Sequence, residues 1–223
     1  PLIIEAFQQT MQTVFLGYID PTEYCIPGYS LNTIWKSILQ GNQIEKNAYR
    51  VEDLLIKTEQ AFLEILRNDK LETTEGFWDL IYELIDEKEY KVGLVSNLSQ
   101  KIQEELSKKL GLEGIFDVVS FNENGKEILD KTYGKAIRNL KIKKKKIIAF
   151  EGSIPGVKAA NKKGVDVIVI WDLITRKSFY GNKVKNIDID FAHYVGRTET
   201  TYEEYLAESV KGAIEDKKQR QGL

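Results

Sequence analysis

Cysteine and histidine each occur once in the 223 residues, and these scarcities exclude a good deal. Cys25, as the sole cysteine, cannot form an intrachain disulfide. Together with the lack of a signal-peptide pattern, this sets a reducing, cytoplasmic location as the expectation. A zinc centre of the Cys/His type needs three or four ligands and is excluded by count. Cys25 and His193 could still act as a nucleophile and its base. The ordinary alternative is an inert thiol, because a reactive one needs a specific activating partner. No apolar run reaches the length of a membrane-spanning helix, so no membrane is expected as partner. Neither sign of charge dominates: 32 Lys and Arg against 34 Asp and Glu leave a formal net charge of −2, too little to favour a polyanion. The run Lys143-Lys144-Lys145-Lys146 has no interleaved aromatics and abuts an apolar strand pattern. It reads as a solvated turn, and no nucleic acid is expected.

The chain divides by texture. From Leu2 to about Leu71 the pattern is helical. Ile3, Ala6, Phe7, Thr10, Met11, Val14 and Phe15 recur at three-and-four spacing. After the Pro27-Gly28 break, Leu31, Ile34, Trp35, Ile38 and Leu39 mark a second helix. A third runs through Val51, Leu54, Leu55, Thr58, Ala61, Phe62, Ile65 and Leu66, so the segment reads as a small bundle. Beyond it, helices alternate with short apolar runs. Helical patterns cover Phe77–Ile85, Ile102–Leu110, Tyr133–Leu140 and Val157–Lys163. Strand patterns cover Val92–Val95, Val118–Phe121, Ile147–Phe150 and Val165–Trp171. This rhythm predicts an α/β fold with a Rossmann-like parallel sheet covered by helices. Trp35, Trp78 and Trp171 read as core residues rather than ligand platforms. From Arg197 onward a charged helical tail is expected.

Active sites of such sheets lie beyond the carboxyl ends of the strands. There the chain places Ser96-Asn97 after the first strand, Gly125-Lys126 after the second and Glu151-Gly152-Ser153 after the third. A hydroxyl, an ammonium and a carboxylate on one edge suit a phosphoryl group and a divalent cation. Each residue also has an ordinary reading. Ser96 could cap the following helix. Lys126 could be a plain loop lysine, with Lys131 and Lys135 as rivals for its role. Glu151 could be a helix-start carboxylate favoured by the dipole.

The stretches that carry these residues resemble a known family. Gly93-Leu94-Val95-Ser96-Asn97 is similar to the second motif of haloacid-dehalogenase-like hydrolases. The stretch from Ile148 through Phe150-Glu151-Gly152-Ser153 and Gly156-Val157-Lys158-Ala159-Ala160 to Gly164 resembles the fourth, and Lys126 with the helix from Tyr133 resembles the third. The branch indicated is that of β-phosphoglucomutase and phosphoglycolate phosphatase. The resemblance implies an α-helical cap domain over residues 1–71, a core over 72–196 and a tail over 197–223. It also implies a Mg²⁺-dependent phosphatase, or a phosphomutase, acting on a small phosphorylated metabolite. Ser96, Asn97 and Lys126 would be the catalytic and phosphate-binding residues, and Glu151 the metal ligand.

Two departures qualify it. The family's Asp-x-Asp-Gly-Thr motif, whose first aspartate takes the phosphoryl group and whose second is the general acid/base, occurs nowhere in the chain. Its strand would lie between those ending at Ser96 and at Glu151. The expectation is therefore either that the motif lies upstream of Pro1 in a longer protein, or that those two strands close on each other directly. Gly152 also replaces the family's usual second metal-binding aspartate. Both departures support an alternative: a catalytically inactive relative that binds a ligand or partner.

Overall fold

A computed structural model describes residues 2–15, 19–44, 49–73, 77–87, 90–122, 129–170 and 187–191. Lys126, His193, Trp171 and the tail expected from Arg197 lie outside these residues.

Three helices form the first layer: α1 (Leu2–Val14), α2 (Leu31–Gly41) and α3 (Val51–Asn68). Ser30 starts α2 by accepting the Thr33 amide at 3.2 Å, which satisfies one of the orphan donors of the first turn. The three apolar faces meet at Trp35, which is fully buried. Its ring lies 5.0 Å from that of Phe7, and its indole N–H donates to Thr58 Oγ1 at 2.9 Å. Thr58 in turn donates to the Leu54 carbonyl, so this polar point of the core is closed.

The second layer alternates strand and helix: β1 (Gly93–Val95), α5 (Gln100–Lys109), β2 (Val118–Ser120), α6 (Leu129–Leu140), β3 (Ile148–Glu151), α7 (Ile154–Lys162), β4 (Asp166–Ile170) and β5 (Ile187–Phe191). It is preceded by α4 (Phe77–Tyr82), which passes into a π-helical turn over Glu83–Glu87 and so ends earlier as an α-helix than its apolar pattern predicts. Trp78 is half-buried there, stacked on Tyr82 at 5.7 Å rather than sunk in a core. The lysine run forms an exposed 3-10 turn at Lys144–Lys146.

Three helices begin earlier than their patterns suggest, α5 at Gln100, α6 at Leu129 and α7 at Ile154. In α6 the buried face already includes Leu129 and Thr132. In α7 Pro155 sits in the first turn, where its missing N–H costs nothing. The strand β5 was not anticipated at all.

All pairings are parallel. β1 pairs with β2 in register Gly93–Val118, and β3 with β4 in register Ile148–Asp166. β5 adds to β4 through a register shift beside Val167. Among the described residues the strands form two separate sheets, ordered β1-β2 and β3-β4-β5. The direct closure of β1 on β3 offered by the sequence is not observed.

The two sheets are nonetheless neighbours. Val95 of β1 packs against the cluster that holds Ala149 of β3, Tyr133 of α6 and Val157 of α7. β1 and β3 therefore share one cluster without being hydrogen-bonded to each other, and we call the space between them the slot. Parallel strands are ordinarily buried on both faces, yet Leu94 and Val95 are only half-buried and Gly93 is exposed.

Candidate active site

The carboxyl ends of β1 and β3 each carry a short polar segment. After β1 the chain turns sharply. The Ser96 amide donates to the Ser120 carbonyl at 2.8 Å, extending the ladder by one bond. The Ser96 hydroxyl oxygen accepts the Leu98 amide at 3.2 Å, which leaves its proton to donate elsewhere. The residue at the N-cap position of α5 is Ser99, not Ser96, so the capping alternative for Ser96 does not hold. Asn97 uses both ends of its amide. Nδ2 donates to the Gly28 carbonyl at 2.8 Å, and Oδ1 accepts from Asn122 Nδ2 at 3.4 Å.

After β3, Glu151 turns its carboxylate back toward the start of α7. One oxygen accepts a short hydrogen bond from the Tyr133 hydroxyl, and the other accepts from Ser153 Oγ at 3.4 Å. Ser153 also caps α7 by accepting the Gly156 amide at 3.1 Å. A Cβ at residue 156 would overlap the Glu151 carboxylate, so any other residue there must displace it.

Burial pushes the Glu151 carboxyl up to about 7, and the hydrogen bonds from Tyr133 and Ser153 oppose the rise only in part. Burial and the adjacent carboxylate push the Tyr133 hydroxyl up as well, so it stays protonated and can only donate to Glu151. Burial likewise pushes the Cys25 thiol up to about 11, which argues against a nucleophilic cysteine.

The two segments come together through a third. Gly28, in the turn between α1 and α2, receives Asn97 and abuts Ser153: a Cβ on it would lie 2.7 Å from Ser153 Cβ and 3.3 Å from Pro155 Cδ. Asn97 and Ser153 thus both meet Gly28, which brings the segments after β1 and β3 to one turn. Neither Tyr133 nor Gly28 was singled out from sequence. Tyr133 was legible only as an apolar position of its helix, and Gly28 only as a helix breaker.

A divalent cation does not fit the described residues on their own. No group of three or more His, Cys, Asp or Glu side chains converges among them, and both oxygens of Glu151 are engaged. Mg²⁺ is held by carboxylates together with several waters, so a site here would need further carboxylate from outside the described residues. The triplet Asp188-Ile189-Asp190 does not provide it at the slot. It lies on β5, on the far side of β4 from the open edge of β3.

Residues 1–170 match the haloacid dehalogenase-like hydrolase family. Among curated proteins none matches. Solved structures with the same fold include CbbY from Rhodobacter sphaeroides in complex with phosphate, at 19% identity and a TM-score of 0.71 over 85% of each chain. A mutant of that protein bound to xylulose-(1,5)-bisphosphate matches at 19% identity and a TM-score of 0.70, covering 83% of this chain and 85% of that one. A putative β-phosphoglucomutase from Thermotoga maritima matches at 19% identity and a TM-score of 0.62, covering 95% and 92%.

Proposed function

We propose that this chain, which belongs to the haloacid dehalogenase-like hydrolase family, is the larger part of a phosphatase for a small phosphorylated metabolite. The observation that carries the reading is the slot between β1 and β3, flanked at its carboxyl end by Ser96-Asn97 on one side and Glu151 on the other. A parallel strand in the slot would lie beside both β1 and β3 and bury Leu94 and Val95. It would also deliver its own carboxyl-terminal residues to the same edge as the Ser96 hydroxyl and the Glu151 carboxylate. We assign that strand to the Asp-x-Asp-Gly-Thr segment, upstream of Pro1.

The chemistry follows from the groups. An aspartate oxygen attacks phosphorus, the ester P–O bond breaks, and the second aspartate gives its proton to the departing alkoxide. Water then cleaves the acyl phosphate and releases inorganic phosphate. The Ser96 hydroxyl donates to a phosphoryl oxygen, and Lys126 offsets its charge. Mg²⁺, where bound, would screen the phosphoryl charge, with Glu151 as this chain's contribution to its ligands. The helical layer over residues 1–71 acts as a cap that excludes water and selects the leaving group. The known neighbours bound to phosphate and to a sugar bisphosphate support sugar phosphates as the first substrates to try.

A second reading is favoured by Gly152 and by the engagement of both Glu151 oxygens: a relative that binds phosphate esters without turning them over. The test is phosphate release from a panel of small phosphate esters by the protein produced from its complete coding sequence, with and without Mg²⁺. Mg²⁺-dependent release that Ser96→Ala lowers by about 10²-fold or more supports the phosphatase, since loss of one oxyanion donor has that scale. Binding without release supports the inactive relative. Neither binding nor release on any ester overturns both.

A further inference from the structure

The turn Ile26-Pro27-Gly28-Tyr29 is closed by the Tyr29 amide donating to the Ile26 carbonyl at 3.1 Å. It has proline second and glycine third, with Gly28 at φ +83°, the pattern of a type II turn. The Gly28 carbonyl accepts from Asn97 Nδ2 at 2.8 Å. The bond spans the boundary between the helical layer and the strand-end segment. On its other side the Gly28 Cα rests on Ser153 and Pro155, close enough that a methyl group would collide. Asn97 is held from behind by Asn122, a buried residue whose backbone amide also bonds the Leu98 carbonyl at 3.1 Å.

We propose that the Asn97 side chain is the latch of this turn, a positioning residue that fastens the cap across the mouth of the slot rather than a ligand of the phosphoryl group. A phosphoryl donor would need its N–H groups directed into the slot mouth, whereas Nδ2 is turned toward the cap and Oδ1 toward Asn122. While the bond stands, Gly28 is held against Asn97 on one strand-end segment and against Ser153 on the other. The only strand-end side chain bonded to the turn is Asn97 among the described residues.

The latch itself rests on geometry alone; its part in the reaction rests on the phosphatase reading, and the test separates the two. Amide hydrogen exchange is measured on the full protein for residues 24–34 and, as an internal reference, for β4. Asn97→Asp keeps the shape but replaces the donor with an acceptor facing the Gly28 carbonyl. Gly28→Ala attacks the same contact from the cap side, leaving Asn97 intact. Both variants are expected to speed exchange in residues 24–34 by about tenfold while β4 stays unchanged. Affinity for inorganic phosphate is titrated in parallel. In Asn97→Ala it is expected to stay within about twofold of the unsubstituted protein.

Unchanged exchange in residues 24–34 overturns the latch. So does a tenfold loss of phosphate affinity in Asn97→Ala, which would make Asn97 a ligand. If the unsubstituted protein binds no phosphate, the phosphatase reading suffers and the exchange result still decides the latch. Acceleration in β4 as well as in residues 24–34 means global destabilisation and also overturns it.

Discussion

The carboxylate of Glu151 occupies the volume that any side chain at residue 156 would need. The expected consequence is a strong coupling between the two positions. Gly156→Ala should destabilise the fold by about 1–3 kcal/mol, the cost of forcing a methyl group into filled space. In an Glu151→Ala background the same substitution should cost much less, because the colliding group is gone. Urea denaturation of the two single variants and the double variant measures this. Additive effects within about 0.5 kcal/mol would show that the carboxylate lies elsewhere.

Glu151 also predicts a pH dependence. Its carboxyl is raised from 4.5 to about 7 in the folded protein. Between those values the folded state holds a proton that the unfolded state has released. The stabilising contribution is therefore complete below about 4.5 and is lost as pH rises through about 7. Glu151→Gln should flatten the stability profile over that window. A profile as steep in the variant as in the unsubstituted protein would assign the slope to other groups.

Thr58 is the sole hydrogen-bond partner described for the Trp35 indole, in a core where both residues are fully buried. Thr58→Val preserves volume and strands the N–H. We expect a loss of about 1–3 kcal/mol, the penalty of a buried unsatisfied donor. Thr58→Ser, which keeps the hydroxyl, should recover part of it in the same denaturation measurement.

Cys25 is buried, with its thiol pushed up to about 11. In the native protein at pH 8 it should react with a disulfide reagent far more slowly than in denaturant. Equal rates in the two conditions would show that the turn before α2 is open.

Much of this was legible in the sequence, and what was not follows a pattern. The three helices around Trp35 declare themselves because their apolar positions repeat every three or four residues over long stretches. β1, β3 and β4 are readable as short apolar runs between glycines and charges. The helix starts at Leu129 and Ile154 were read late, because periodicity needs several turns to register, whereas a cap such as Ser153 acts at one position. β5 did carry a signal, the alternation Ile187-Asp188-Ile189-Asp190-Phe191, but its charged positions disguise it as loop.

At the candidate site, Ser96, Asn97 and Glu151 were placed by their position after strands, and the structure gathers the flanks of their segments around Gly28. What the sequence could not reveal was the partner of each group. Asn97 finds Gly28 and Glu151 finds Tyr133 only through tertiary packing, which leaves no local trace. Lys126 lies outside the described residues, and its placement remains as the sequence left it.

The division of the strands into two sheets bears on how the chain acquires its shape. Each pair of strands is linked by one crossover helix, α5 between β1 and β2, and α7 between β3 and β4. Such units have short-range connections and can form early and apart. A strand entering the slot would join to both at once by backbone hydrogen bonds. It would add direct backbone bonds between two units otherwise joined through α6, so the step that completes the sheet would also weld the molecule.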